Sequence, residues 1–225
     1  MFAVIFVVRP KKGHFDRYLE LAKILKPEVE KIDGFIDNER FGSRHIEDCV
    51  LSLSVWRDEK ALIRWRTEAL HHEVQAKGRF DVFATYHLRV GEITADTCLP
   101  EGQTLREQRL DETECGAAKA VTITEFAPEE GRSSANMDLA AKAGLPQVGH
   151  DGLVDQEVFD SIYNPGKSLW LVSWRDGNAA DCWKPRAVVS ATLRHRQVRI
   201  IRDYGMTDRR EAPQYYPPVE PAGGA

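Results

Sequence analysis

The two halves of this chain repeat one another. At a constant offset of 118, Ile5 meets Ile123, Pro10 meets Pro128, Gly13 meets Gly131 and Leu21-Ala22 meets Leu139-Ala140. Asp33-Gly34 returns as Asp151-Gly152, and Leu51 and Leu53 as Leu169 and Leu171. Trp56-Arg57-Asp58 returns as Trp174-Arg175-Asp176, Ala61 as Ala179 and Trp65 as Trp183. The match needs no gap from about residue 5 to residue 65. A repeat that keeps Gly, Pro and Trp at structurally demanding places signals duplication. Each copy must then build the same unit, and 225 residues accommodate two units of about 100 residues each.

The first copy defines that unit. Ala3 to Val8 is rich in Val, Ile and Phe, as a buried strand is. From Phe15 the period changes: Phe15, Tyr18, Leu19, Ala22, Leu25, Val29 and Ile32 recur at helical steps. Pro27 is expected to kink that helix, and Gly34 suits a left-handed cap after it. Phe35 to Arg40 and Val50 to Trp56 read as strands, Asp58 caps a second helix, and Phe83 to Ile93 closes the unit. The order β-α-β-β-α-β is ferredoxin-like.

Residues 97–118 are polar and read as a linker, with a short helix expected over Thr104 to Leu110. The expected division is therefore one domain over 1–96, the linker, a second and degenerate domain over 119–208, and an extended tail over 209–225. The second copy loses register after Trp183 and lacks any match for His71-His72 through Arg79; its last strand, about Arg196 to Tyr204, comes early. Its first helix is poorer, with Gly144 and Pro146 in its second half. The tail, with Pro213, Pro217 and Pro218 around Tyr215-Tyr216, is expected to cover a neighbouring surface. A four-stranded sheet with both helices on one face leaves the other face to be covered. Two copies cover each other, so the expected fold is α+β, with two ferredoxin-like repeats packed sheet to sheet as a single-chain α+β barrel.

A net charge of −4 argues against a nucleic-acid surface. The apolar run Phe2 to Val8 is too short for a membrane span and lacks the flanks of a signal peptide. Cys49, Cys98, Cys115 and Cys182 form no CxxC pair, which suits free thiols and a cytoplasmic location.

The strand ending Ser54-Val55-Trp56-Arg57-Asp58, the helix Ala61 to Arg66, then His71, Gln75, Gly78-Arg79 and the strand Tyr86 to Glu92 resemble the antibiotic-biosynthesis monooxygenase (ABM) domain family, of the dimeric α+β barrel fold. Arg202-Asp203-Tyr204-Gly205-Met206 is similar to closing strands of that family. The resemblance implies oxygenation of an aromatic, polycyclic phenolic small molecule by molecular oxygen without metal or flavin. One branch of the family instead binds and degrades heme, which ranks second here. A non-enzymatic small-molecule-binding or assembly module is the third reading. A homodimer of the single-chain barrel stays open.

A cofactor-free oxygenase needs a base for a phenol, a flat apolar wall and a donor for the resulting anion. On one continuous helix, His72 falls on the same face as Trp65, while His71 points away from it. Yet His71 stands at the family's usual histidine position, so both remain candidate bases. Trp65 serves as readily as a core anchor. Gln75, Tyr86, Arg89 and Arg40 are candidate substrate contacts. No metal site is expected, because adjacent histidines point apart on a helix. No cofactor is expected, and for heme His72 would have to supply the iron ligand. An enzyme should keep a cavity beside Trp65 and His72, whereas a scaffold should fill it with Phe2, Phe6 or Phe83.

Overall fold

A computed structural model describes residues 1–128, 142–146, 149–188 and 191–216. The first half contains β1 (Phe2–Pro10), α1 (Phe15–Val29), β2 (Phe35–Ser43), β3 (Val50–Trp56), α2 (Glu59–Arg66), α3 (Ala69–Lys77), one π-helical turn (Gly78–Val82) and β4 (Phe83–Asp96). The second contains β5 (Ala120–Pro128), β6 (Leu153–Ser161), β7 (Ser168–Trp174), the short α4 (Gly177–Asp181) and β8 (Ala191–Gly205). Gly131, Leu139-Ala140, Pro217 and Pro218, on which parts of the repeat and tail expectations fall, lie outside the described residues.

Each half forms an antiparallel sheet of ferredoxin order, β4-β1-β3-β2 and β8-β5-β7-β6. The halves also join at both edges. His87 to Asp96 of β4 pairs with Arg196 to Gly205 of β8, and Phe41 to Ser43 of β2 pairs with Phe159 to Ser161 of β6. The result is a closed eight-stranded barrel, which leaves no open sheet edge. Its interior is a shared apolar core that includes Ile5, Phe41, Leu51, Phe159, Leu169 and Val198. Alternation in β1 sends Ala3 and Ile5 into that core and Phe2, Val4, Phe6 and Val8 outward, beneath the helices.

Equivalent local devices recur in both halves. Asp58 and Asp176 cap their helices by accepting from Ala61 N and Ala179 N, each at 2.8 Å. Gly34 (φ +92°) and Gly152 (φ +78°) adopt left-handed backbone, and a Cβ at either would collide with Ala61 or Ala179 at 2.6 or 2.3 Å. Gly34 stands beyond the helix end, however, so it serves the turn into β2 and the seat of α2. Pro27 does not interrupt α1, which runs unbroken from Phe15 to Val29, although its missing N–H leaves one bond of the last turn unmade.

The linker departs from its expected form. Thr104 to Leu110 is not helical. Its backbone is recruited elsewhere: the buried Glu92 carboxylate accepts from Gln108 N at 2.6 Å and Arg109 N at 3.1 Å. Arg109 in turn holds Glu59 at the start of α2 at 2.7 Å. Fixed side-chain acceptors have replaced the i to i+4 ladder that a helix needs.

At the β4–β8 seam the register shifts between Val90 and Gly91, which leaves Ile201 as an extra residue on β8. Ile200 faces the barrel core, whereas Ile201 packs with the first half's outer cluster. The bulge therefore turns Arg202 and Tyr204 outward, over the first half. Gly91 is needed there, since a Cβ would lie 2.4 Å from Arg199 O.

Candidate functional site

A cavity of about 210 Å³ lies between the outer face of the first half's sheet and its helices. Two rows of residues across five strands form its floor. One row runs Tyr204, Leu88, Phe6, Ser52, Arg40; the next runs Arg202, Val90, Val4, Ser54, Asn38. The middle of each row is apolar and both ends are polar. At the usual strand spacing the rows span about 19 Å.

The roof is set by a break in the expected helix. α2 stops at Arg66, and Glu68 has extended backbone (φ −65°, ψ 132°) before α3 begins at Ala69. The Glu68 carboxylate accepts from His71 N at 2.8 Å and fixes the new start. The rotation expected from one continuous helix therefore fails. His71, not His72, lines the cavity. Its ring stacks on Trp65 at 4.1 Å and 16°, and its Nδ1 lies 2.9 Å from Trp65 O. Donation from Nδ1–H to that carbonyl leaves Nε2 as the acceptor. Burial pushes the His71 pKa down to about 4, so the ring is neutral at pH 7. His72 is exposed and stacks on Tyr216 at 5.7 Å.

The other expected residues divide. Trp65, Gln75, Tyr86 and Arg40 line the cavity together. Arg89 does not, because strand alternation places it on the opposite face from Leu88 and Val90. It is 5% exposed and donates to Ser173 Oγ at 2.8 Å. Residues that sequence reasoning missed complete the site. The π turn delivers the buried Arg79, which donates to the Tyr86 hydroxyl at 3.0 Å. From beyond β8, Arg209 donates to the same oxygen at 2.6 Å. The chain after Arg209 then crosses the rim, where Tyr216 donates to Gln75 Oε1 at 3.4 Å and Gln214 to Arg66 O at 3.2 Å. Burial raises the pKa of Tyr18 and Tyr216 and pushes Tyr204 up to about 12, so all three stay protonated donors.

Phe6 and Phe83 form walls and do not fill the space, and Phe2 is fully buried without lining it. Among the described residues of the second half, bulk replaces the small floor residues. Trp170 stands where the first half has Ser52, and it joins Phe126, Trp174 and Trp183 in one apolar cluster.

The chain has a family as well as a fold. The model of the family described as antibiotic biosynthesis monooxygenase matches residues 1–77. A jasmonate monooxygenase from Pyricularia oryzae is 44% identical over 225 residues, covering 97% of this chain and 100% of that protein. The chain belongs to the ABM monooxygenase family. Solved structures of candidate monooxygenases from Fusobacterium nucleatum and Lactobacillus acidophilus are 7% and 9% identical, with TM-scores of 0.36 and 0.37. Each covers 90% of this chain, which in turn covers 93% and 94% of theirs. The ABM match ends at Lys77, within the helix that carries His71 and Gln75, and stops short of Arg79 and Tyr86.

Two buried imidazoles make stability depend on pH. His71 and His195 both titrate near 4, below the ordinary 6.5, chiefly through burial. Between those values the unfolded chain binds protons that the native chain does not. Stability is thus expected to hold above pH 6.5 and to fall by roughly 3 kcal/mol or more as pH drops towards 4. Urea midpoints across that range check this. A flat profile would mean that both rings protonate freely in place.

Proposed function

We propose that this ABM protein is a cofactor-independent monooxygenase with one site, the Trp65–His71 cavity of the first half. Its substrate is a small, largely apolar molecule that carries a phenolic O–H or an acidified C–H. The observation that carries this reading is the open cavity holding a neutral imidazole beside an apolar floor. The jasmonate named for the Pyricularia oryzae relative supports a small organic molecule rather than a macromolecule.

The chemistry must balance. One oxygen atom enters the substrate and the other leaves as water, so two electrons and two protons are needed. An activated CH₂ supplies both, as R₂CH₂ + O₂ gives R₂C=O + H₂O. The chain's part is to take the first proton at His71 Nε2 and to hold the resulting anion near the Tyr86 hydroxyl. That hydroxyl accepts from Arg79 and Arg209, so its own proton points to substrate. Trp65 and Phe6 hold a flat body in place. The heme alternative relied on His72 as iron ligand, and that ring lies outside the cavity lining.

Oxygen uptake tests the proposal, with a panel of phenols and with jasmonate, each with and without NADPH. One O₂ consumed per substrate without reductant is expected for at least one compound. Uptake only with NADPH would remove the cofactor-independent mechanism. No uptake with any compound in either condition would favour the binding-module reading.

A further inference from the structure

The charges around the cavity do not balance. Arg40, Arg66, Arg202 and Arg209 all line it, and none forms an ion pair with a carboxylate among the described residues. Elsewhere Arg57, Arg64, Arg109, Arg194 and Arg199 each hold a carboxylate. Glu59 alone in the lining carries a carboxylate, and Arg109 takes it from the other side. The surplus is local, since the whole chain has a net charge of −4. Like charges gathered in a partly desolvated space repel, and a bound anion would relieve them.

The surplus is not spread evenly. Arg40 stands at the β2 end, against the buried Tyr18. At the β8 end, Arg202 rises from the floor and Arg209 reaches in from the C-terminal arm. The Arg209 guanidinium lies 5.2 Å over the Tyr216 ring and 5.6 Å over the Tyr204 ring, which fixes its place. The arm itself is pinned. Glu211 accepts from Thr113 Oγ1 at 2.7 Å, Glu114 N at 2.6 Å, Cys115 N at 3.1 Å and Asp203 N at 2.6 Å.

Building on the monooxygenase reading, we propose that the substrate is an amphipathic acid whose carboxylate is held by Arg202 and Arg209. Its apolar body lies over Leu88, Phe6, Val90 and Val4. The body thus rests on the first half, and its acid end is held by β8 and the C-terminal arm. Arg202 and Arg209 are specificity-determining residues in this assignment: they separate acids from neutral molecules of the same shape.

Calorimetric titration of the full chain at pH 7 tests this with two matched pairs, jasmonate with methyl jasmonate and 2-naphthoate with its methyl ester. At least one acid should bind about tenfold or more tighter than its ester, as a charge-assisted contact implies. Arg202→Gln and Arg209→Gln should each weaken that acid about tenfold and leave its ester unchanged, with melting temperatures checked alongside. Arg40→Gln, at the far end, should leave the acid-to-ester ratio alone. Esters binding as well as acids, equal losses for acid and ester in the variants, or no binding by either acid would each overturn the proposal. Oxygen uptake separates the two ideas. Acid binding without uptake keeps the anion site and removes the monooxygenase mechanism. Uptake with neutral phenols that Arg202→Gln leaves intact keeps the mechanism and removes the acid.

Discussion

Replacing His71 by alanine is expected to lower turnover by roughly 10²- to 10⁴-fold, the usual contribution of a positioned base. The ring stands against Trp65 with Nδ1 committed to a backbone carbonyl, so one nitrogen remains to accept a proton. His72→Ala serves as the comparison, because that ring lies outside the cavity lining and meets Tyr216 at the rim. If the two variants lose activity equally, His71 is not the base. The pH profile gives an independent reading. A base must be neutral to act, and burial holds His71 near 4. Activity should therefore persist through pH 6 and fall only as the pH drops through about 4. A rising limb centred near the ordinary histidine value would assign the proton transfer to an exposed ring instead.

Gly91→Ala should cost roughly 3 kcal/mol of folding stability, at the upper end of ordinary overpacking. The added methyl would lie 2.4 Å from Arg199 O and 2.5 Å from Val198 Cγ1. The first of these is backbone and cannot rotate aside, so β4 and β8 must part where the halves join. That is a large fraction of a stability of about 5–15 kcal/mol. Gly42→Ala, at the other seam, meets nothing within 4 Å and should shift the urea midpoint little. Equal shifts for the two variants would show that the close approach at Gly91 is relieved without opening the seam.

Much of the barrel was legible in the sequence because its signals are local and doubled. Asp58 and Asp176, Gly34 and Gly152, and Trp56 and Trp174 each satisfy a short-range demand, and each does so twice. The edge-to-edge closure was less visible, since a strand's sequence does not say which distant strand it will meet. The site was half legible. Trp65 was placed on its helix, and Gln75, Tyr86 and Arg40, named as candidate contacts, also line the cavity. His72 was misplaced because Glu68, an ordinary helix former, takes extended backbone and restarts the helix. Arg89 was misplaced because it stands three residues from Tyr86, and strand alternation brings only one of the two to the outer face. Arg79 and Arg202 stood in stretches that carry the family resemblance without being read as site residues, and Arg209 had no signal: a π turn, a bulge and a tail bring them in. One signal was present and unread. Ser52 aligns with Trp170 in the repeat, and that exchange of a small residue for the largest one separates an open half from a filled one.

The bulge at Ile201 has a consequence for how such a chain can change over generations. In a symmetric dimer every substitution is made twice, so a residue that improves one pocket must also be tolerated in the other. Fusion removes that constraint. Here the second half packs Trp170 where the first has Ser52, yet its last strand lies across the first half's floor. The second half is thus indispensable through β8: it is free to drift on its own outer face, and held fast wherever it borders its twin.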